Sequence, residues 1–214
     1  YPAIGVASAI REHIPEARFV FFGTQRAIDQ QILDTVDCGL VRQTLSPLTP
    51  KPWRWPAVVR DLHASHRTCR RFIDSDRPVV VMGTGGMASV APVREAQRAG
   101  IPVAIFNPDA IPGRANRYLA ARASVVFAQW EDTVAHYPSS ARLEVTGCPV
   151  RASFATATRE AGMRRFDLDP TRRTLLVTGA SQGARTINEA VLANAEFFES
   201  LNGWQILHLT GKND

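Results

Sequence analysis

The chain has 214 residues, of which 45% are hydrophobic and 21% are charged, a composition typical of a globular protein with a substantial core. The chain contains no run of 18 or more apolar residues, so no transmembrane helix is predicted. Its three cysteines are odd in number and far apart, which favours a reducing compartment and argues against a disulfide framework or a zinc site. The net charge of +5 indicates an anionic partner such as a phosphate, a nucleic acid or a lipid surface.

The first part of the chain alternates between helical and apolar β-type segments. The predicted order is helix, strand, helix and strand, at residues 2–14, 17–24, 26–36 and 38–45. Prolines and tryptophans interrupt this pattern at 46–56 and predict a loop. Because the pattern starts on a helix, we expect the opening strand of this domain to be missing from the chain.

A longer helix is predicted from Pro56 onwards, since apolar and small side chains recur there at helical spacing. They share one face, at Val58, Leu62, Ser65, Cys69 and Phe72. The surrounding segment, 51–77, contains seven Lys or Arg residues and three Asp residues, so it carries most of the excess positive charge. Two interpretations stay open: a half-buried helix with a solvated basic face, or a surface that binds an anionic membrane.

From residue 77 the pattern is that of repeated strand–helix–strand units. The apolar run 77–86 ends in glycines and predicts a buried parallel strand. The segments that follow are a helix, a strand, a helix and two strands, at 89–99, 101–107, 112–122, 124–129 and 142–147. Strands that alternate with helices predict an α/β fold with a parallel sheet.

The composition changes near Cys148, where we place a domain boundary. Residues 149–173 are rich in Arg, Ala and Thr and predict an irregular interdomain linker. The predicted domains are therefore 1–148 and 174–214. The second contains one β-α-β unit, at 174–178, 184–199 and 204–210. One such unit is too small to cover both faces of a sheet, so we expect the chain to be a fragment of a two-domain protein.

Three glycine-bearing turns follow predicted strands, at 82–89, 179–185 and 210–212. Open α/β sheets bind ligands beyond the carboxyl ends of their strands, and backbone N–H groups at the start of the following helix suit a phosphate. The third turn, Thr-Gly-Lys, is not a Walker A loop because Ile206 occupies a position that requires glycine.

The phrase "VTGASQG" at 177–183 could also belong to a short-chain NAD(P) reductase. Such an enzyme has a tyrosine followed four residues later by a lysine. The three tyrosines of this chain are followed at that spacing by Gly5, Arg122 and Ala141. The phrase also lies near the C-terminal end of the chain, whereas a reductase has it near the N-terminal end. The reductase therefore stays only as an alternative.

Five phrases, in their order and spacing, resemble the MurG family of bacterial N-acetylglucosaminyltransferases: "YPAIGVASAI", "GIPVAIFNPDAIPGRANRYLA", "VTGCPVR", "GASQGARTINEAV" and "HLTGKND". The resemblance spans essentially the whole chain. It implies a GT-B architecture of two Rossmann-like parallel-sheet domains, the second truncated here. It also implies an inverting transfer of N-acetylglucosamine from UDP-N-acetylglucosamine to lipid I, which gives lipid II for peptidoglycan.

The resemblance also assigns the domains. Residues 1–148 would bind the acceptor, and the domain that starts at 174 would bind the nucleotide sugar. The first glycine loop of the family and its uracil contacts are expected outside this chain, so we nominate no catalytic base and expect the chain alone to be inactive. Neither a metal nor a cofactor is expected. A non-catalytic, nucleotide-sugar-binding relative is the other alternative.

Seven substrate-binding residues are implied by the resemblance: Ser181, Gln182, Gly183, Arg151, Asp109, Gly85 and Gly86. Ser181 matches a serine of the third glycine loop and Arg151 a donor-contacting arginine. A helix-capping serine and a solvated linker arginine are the purely structural interpretations. Asp109 departs from the family, which has Asn at this position, and an ionised carboxylate cannot donate a hydrogen bond.

The resemblance implies a location as well. A lipid-linked acceptor places the protein, as a peripheral protein, at the cytoplasmic face of the bacterial plasma membrane. The basic helix, with Trp53 and Trp55 beside it, suits an anionic membrane surface. No recognition motif supports binding to nucleic acid. His208 ends a predicted strand and is expected to be a packed residue.

Overall fold

The computed structural model describes residues 2–24, 37–47, 51–151, 153–180 and 183–211. The predicted helix at 26–36 lies outside these residues. The chain divides into two compact units, Tyr1–Ala152 and Ser153–Asp214, which we call unit 1 and unit 2 and describe separately.

The described part of unit 1 contains two parallel sheets. In the smaller one, β1 (Val20–Gly23) pairs with β2 (Gly39–Arg42). The larger one has four strands in the order of the sequence, β3 (Val81–Gly83), β4 (Val103–Asn107), β5 (Val125–Ala128) and β6 (Leu143–Val145). All three pairings of this sheet are parallel, which confirms the predicted α/β class.

Four α-helices accompany these strands in the described residues of unit 1. They are α1 (Pro2–His13), α2 (Trp55–Asp76), α3 (Val90–Arg98) and α4 (Arg114–Ala120). Short 3-10 turns occur at Pro52–Arg54, Met87–Ser89 and Glu131–His136. Each α-helix lies where the sequence predicted one. Within the described ranges, no helix has the length and apolar character needed to span a bilayer.

The core of unit 1 lies around β4 and β5. Val103, Ile105 and Val126 are at most 1% exposed. Val93 of α3 and Leu119 of α4 belong to the same buried cluster. A strand that is covered on both faces has apolar residues at successive positions instead of at alternate ones, and β4 shows this pattern.

The buried face of α2 differs in part from the predicted one. Its buried residues are Val58, Asp61, Ser65, Cys69 and Ile73. Leu62 and Phe72, both predicted for this face, are half-buried. Successive residues of an α-helix are rotated by about 100°, so these two side chains lie at the edge of the face and Asp61 and Ile73 complete it.

A carboxylate is tolerated on this face because it is well hydrogen-bonded. Ser46 Oγ donates to Asp61 Oδ2 at 2.6 Å, and Arg60 Nε and Nη2 donate to Oδ1 at 3.1 and 3.0 Å. These bonds, that of Ser46 first, hold the pKa of Asp61 below its usual value. Asp61 thus links the segment after β2 to α2.

Two boundary predictions in unit 1 are wrong. Val79 is 87% exposed, although the apolar run 77–86 predicted a buried strand. β3 begins only at Val81 because its pairing with β4 begins there. The predicted loop 46–56 includes the start of α2, which begins at Trp55. Pro56 does not prevent this, because the N–H groups of the first turn have no partner within the helix and the one that proline lacks is not needed.

The segment 149–173, predicted to be irregular, contains two short helices, α5 (Ser153–Thr156) and α6 (Arg159–Arg165). α6 follows Thr158, whose Oγ1 accepts a hydrogen bond from Ala161 N at 3.2 Å, a standard N-cap. The prediction of irregular structure was wrong because Arg and Ala, which dominate this segment, are good helix formers.

The described residues of unit 2 contain one parallel strand pair, β7 (Arg173–Thr178) and β8 (Trp204–Leu209). The helix predicted between them divides at Asn194 into α7 (Arg185–Ala193) and α8 (Ala195–Glu199). The order strand, helix, strand is as predicted. A parallel pair needs such a crossover because both strands run in the same direction.

The core of unit 1 gives a first prediction. Val126→Ala, at a position that is 1% exposed, should lower the free energy of unfolding by about 2 kcal/mol, through lost burial and the cavity left behind. Val79→Ala removes the same atoms from a side chain that is 87% exposed, so it should change the free energy of unfolding by less than about 0.5 kcal/mol. Urea denaturation followed by circular dichroism measures both. Equal losses would contradict the placement of the core.

Candidate functional site

The carboxyl end of β3 leads into the segment 83–89, which we call the unit 1 glycine loop. Gly85 and Gly86 have φ values of +95° and +72°, in the region that favours glycine. Ser89 Oγ donates to Gly85 O at 2.7 Å, and α3 begins at the next residue. The loop therefore brings backbone without side chains to the start of a helix, where an anion can be bound.

Asp109 lies at the same edge of the sheet, in the loop after β4. Its backbone carbonyl accepts hydrogen bonds from Asn107 Nδ2 at 2.5 Å and from Thr133 Oγ1 at 3.0 Å. Trp130 Nε1 donates to the neighbouring Pro108 O at 3.1 Å. The Asp109 residue itself is exposed. The loop is thus held through its backbone, and the carboxylate stays accessible to a ligand.

Asn116 of α4 lies between the end of β4 and the unit 1 glycine loop, and its role was not predicted from the sequence. The residue is 3% exposed. Its Nδ2 donates to Asn107 Oδ1 at 3.0 Å and to Phe106 O at 3.3 Å. Its side chain lies 3.4 Å from the place where a Cβ of Gly85 would stand. In the sequence, Asn116 could have been noticed as a polar residue on the face of the predicted helix 112–122 that packs against the sheet.

The Oδ1 atom of Asn116 is buried and finds no hydrogen-bond partner within the described residues. A buried acceptor without a donor is costly. It lies beside Gly85, so the acceptor is at the base of the unit 1 glycine loop. This atom, the two glycines and the exposed Asp109 carboxylate form the polar part of the candidate site in unit 1.

The candidate site in unit 2 is the turn between β7 and α7. Gly183 has a φ of +75°, and a Cβ there would overlap the carbonyl oxygen of Thr210. Asn188 Nδ2 donates to the same oxygen at 2.9 Å, and Asn188 Oδ1 lies 2.9 Å from His208 Nε2. The turn is therefore packed closely against the end of β8, and only glycine fits at residue 183.

The predicted site residues lie in different parts of the chain. Ser181 and Gln182 lie outside the described residues. Arg151 lies in unit 1 and is exposed. Gly85, Gly86 and Asp109 come together at one edge of unit 1, as the order of strands requires. His208 is half-buried at the end of β8 and bonded to Asn188, which confirms the expectation of a packed residue.

A separate surface lies at the start of α2. Trp53, Trp55 and Val59 are 72%, 54% and 66% exposed. Trp55 and Val59 line a shallow groove together with Arg60 and His63, and Trp53 lies in the 3-10 turn that precedes α2. We call these five residues the aromatic–basic patch. Further along the helix, Arg67, Arg70 and Arg71 are also exposed. The basic side chains of α2 thus lie opposite its buried face.

The close packing at Gly183 gives a second prediction. Gly183→Ala and Gly203→Ala both place a Cβ on a residue with positive φ, at +75° and +78°, which costs about 1–2 kcal/mol. Nothing lies within 4 Å of a Cβ at Gly203, whereas Gly183→Ala also meets Thr210. We expect Gly183→Ala to destabilise unit 2 by about 1–3 kcal/mol more than Gly203→Ala. Chemical denaturation of the two variants measures the difference, and equal stabilities would refute the contact.

Comparison with known proteins adds to this geometry. Residues 1–128 match the glycosyltransferase family 28 N-terminal domain. The UDP-N-acetylglucosamine--N-acetylmuramyl-(pentapeptide) pyrophosphoryl-undecaprenol N-acetylglucosamine transferase of Moorella thermoacetica is 32% identical over 219 residues, which cover 100% of this chain and 58% of that protein. The chain therefore spans less than two thirds of the length of this curated relative.

Two solved structures have the same fold. The MurG structure from Acinetobacter baumannii matches with a TM-score of 0.67 and 17% identity, over 100% of this chain and 64% of that one. The UDP-GlcNAc 2-epimerase from Neisseria meningitidis matches with a TM-score of 0.63 and 16% identity, over 92% and 57%. These likenesses confirm the predicted GT-B fold class. Because the family match covers more than half of the chain, this chain belongs to glycosyltransferase family 28, and the resemblance to its MurG members is confirmed.

Proposed function

We propose that this chain is part of a transferase that moves N-acetylglucosamine from UDP-N-acetylglucosamine to lipid I, the undecaprenyl-diphospho-muramoyl-pentapeptide, to form lipid II. The observation that carries this proposal is the 32% identity, over the whole chain, to a transferase named for this donor group and acceptor. Because the chain covers 58% of that relative, the activity is proposed for the whole protein.

On the donor side the proposal uses the turn between β7 and α7. Ser181, Gln182 and Gly183 would bring hydroxyl, amide and backbone N–H groups to the UDP diphosphate. The nine-residue helix α7 starts there, and the helix dipole favours negative charge at that end. For Arg151, in unit 1, the proposal rests on the resemblance alone, which implies contact with the donor; a guanidinium holds phosphate oxygens through two parallel N–H donors. These groups would stabilise UDP as it leaves.

On the acceptor side the proposal uses the carboxyl edge of the larger sheet in unit 1. Gly85 and Gly86 would receive the lipid I diphosphate on the backbone of the unit 1 glycine loop. An ionised Asp109 repels a diphosphate and can only accept hydrogen bonds. Its place in the proposal is therefore opposite a sugar hydroxyl or amide N–H.

The chemistry is a single displacement with inversion. The muramoyl 4-hydroxyl oxygen attacks the anomeric carbon, the bond from that carbon to the UDP oxygen breaks, and a base accepts the hydroxyl proton. We assign no residue of this chain as that base. The proposed work of these residues is to orient the two substrates and to stabilise the charge on the leaving diphosphate.

The donor site is tested by calorimetric titration of UDP-N-acetylglucosamine into a protein that covers the full length of the relatives. Ser181→Ala and Arg151→Ala should each weaken binding by about 10-fold or more, since each removes a hydrogen bond to a charged group. Ser200→Ala and Arg122→Ala are matched controls at exposed positions and should bind like the wild type. NADPH should give no heat of binding.

The outcomes separate the alternatives. Binding of NADPH without a response to the UDP sugar would overturn the transferase in favour of a reductase. Binding of the UDP sugar without turnover of lipid I would indicate the non-catalytic relative, for which the substitution at Asp109 is the supporting feature. Binding that is unchanged in both Ser181→Ala and Arg151→Ala would remove these residues from the site.

We also propose that unit 1 docks on an anionic membrane through α2, at the cytoplasmic face of the plasma membrane. The aromatic–basic patch supports this, because tryptophans suit the headgroup region and cationic side chains attract anionic lipids. Arg67, Arg70 and Arg71 extend the same charged side of the helix. A lipid-linked acceptor, which is anchored in the membrane, would then meet the protein at the membrane surface.

Sedimentation with vesicles that contain anionic lipid tests this docking. Reversing Arg67, Arg70 and Arg71 to Glu should reduce the partition coefficient by about 100-fold or more, since each basic residue near the surface contributes roughly 1 kcal/mol. The matched control reverses Arg114, Arg117 and Arg122, which are exposed on or next to α4. Equal loss in both triple variants, or no loss in the first, would contradict docking through α2.

A further inference from the structure

Gln43, the residue that follows β2, is 1% exposed, although nothing in the sequence pattern marks it as functional. Its backbone N–H donates to Gly23 O at 2.9 Å, which continues the pairing of β1 with β2. Its side chain points into the interior of unit 1, where a polar amide is retained only if its atoms are hydrogen-bonded.

Both ends of the Gln43 amide have partners. Oε1 accepts a hydrogen bond from Ser65 Oγ and a longer one, at 3.8 Å, from Cys69 Sγ, both on α2. Nε2 donates to the carbonyl oxygen of Ala88 at 3.0 Å. Burial raises the pKa of the Cys69 thiol to about 12, so it stays protonated and able to donate at neutral pH.

Ala88 is the middle residue of the 3-10 turn Met87–Ser89, which is the last part of the unit 1 glycine loop before α3 begins. Gly85 and Gly86 have no side chains that could fix the loop, and glycine backbone is the most permissive of all. The Ser89 bond to Gly85 is internal to the loop. The bond from Gln43 comes from the segment that follows β2, so it connects the loop to another part of unit 1.

We propose that Gln43 is a positioning residue, which holds the unit 1 glycine loop in the place where it receives the diphosphate of the acceptor. The identity of the ligand in this inference rests on the proposed function. The fixing of the loop by Gln43 rests on the hydrogen bonds alone. Without the Nε2 donor, the Ala88 carbonyl loses its protein partner and the turn is free to move towards water. Gln43 itself touches no substrate.

The test compares Gln43→Met with Ile73→Val. Methionine is similar in length to glutamine and cannot donate to Ala88. Ile73 is 2% exposed and lies on the same face of α2, so its shortening destabilises unit 1 without touching the loop. Ser65→Ala, which removes one of the two donors to Oε1, is a milder second variant.

Hydrogen exchange of the amides at 85–90 is the first readout. In Gln43→Met it should rise by about 10-fold, the effect of one lost hydrogen bond on local opening, while exchange in β4 and β5 stays unchanged. Ser65→Ala should give a smaller rise at the same amides, and Ile73→Val should give none confined to them. Exchange that is unchanged in Gln43→Met, or that rises evenly through unit 1, would overturn the positioning role.

Steady-state kinetics of a protein that covers the full length of the relatives is the second readout. Gln43→Met should raise the KM for lipid I by about 5- to 10-fold and change kcat by less than about twofold, as expected for lost binding. The Kd for UDP-N-acetylglucosamine should stay unchanged. A local rise in exchange with unchanged KM would overturn the acceptor role. If Gln43→Met shows the local rise in exchange but the wild type binds no UDP sugar, the proposed function would be overturned, whereas the role of Gln43 in holding the loop through Ala88 would stand.

Discussion

The parallel pairing of β3, β4 and β5 is the constraint on which the candidate site of unit 1 depends. Parallel strands run in one direction, so the chain returns across a face of the sheet between each strand and the next. α3 and α4 make two of these returns, and they bury β4 on the way. All loops that leave the strands then gather at one edge, which is why Gly85 and Asp109 lie near each other although a strand and a helix separate them in the sequence.

Buried neutral amides hydrogen-bond the segments beneath this edge to one another. Gln43, Asn107 and Asn116 are each at most 3% exposed, and each bonds to backbone or side chains of another segment. An amide donates and accepts at once without carrying a charge, so it satisfies backbone groups without the desolvation cost of a buried ion. Glu95, which is 4% exposed, shows the contrast: its Oε1 atom has two basic side chains as partners.

The sequence was sufficient to predict the features whose signals are local. The glycines after β3 and β7 were visible because an apolar run, a small-residue turn and a helix follow one another directly. Gln43 and Asn116 were missed because their roles depend on partners from other segments; the bond from Gln43 to Ala88 joins residues 45 positions apart. Val79 was assigned to a buried strand because hydrophobicity alone does not show where strand pairing begins.

The hydrogen bonds of Asn188 have a consequence for the chemistry of unit 2. Its Nδ2 group donates to the carbonyl oxygen of Thr210, and because a carbonyl only accepts, the amide can have one orientation. Its Oδ1, also only an acceptor, therefore faces His208 Nε2, and that nitrogen must carry the hydrogen. The tautomer of the imidazole is set by an asparagine on the neighbouring helix. His208 Nε2 is thus a donor within the fold, and only Nδ1 of this imidazole is left with a lone pair that can accept a hydrogen bond or a proton.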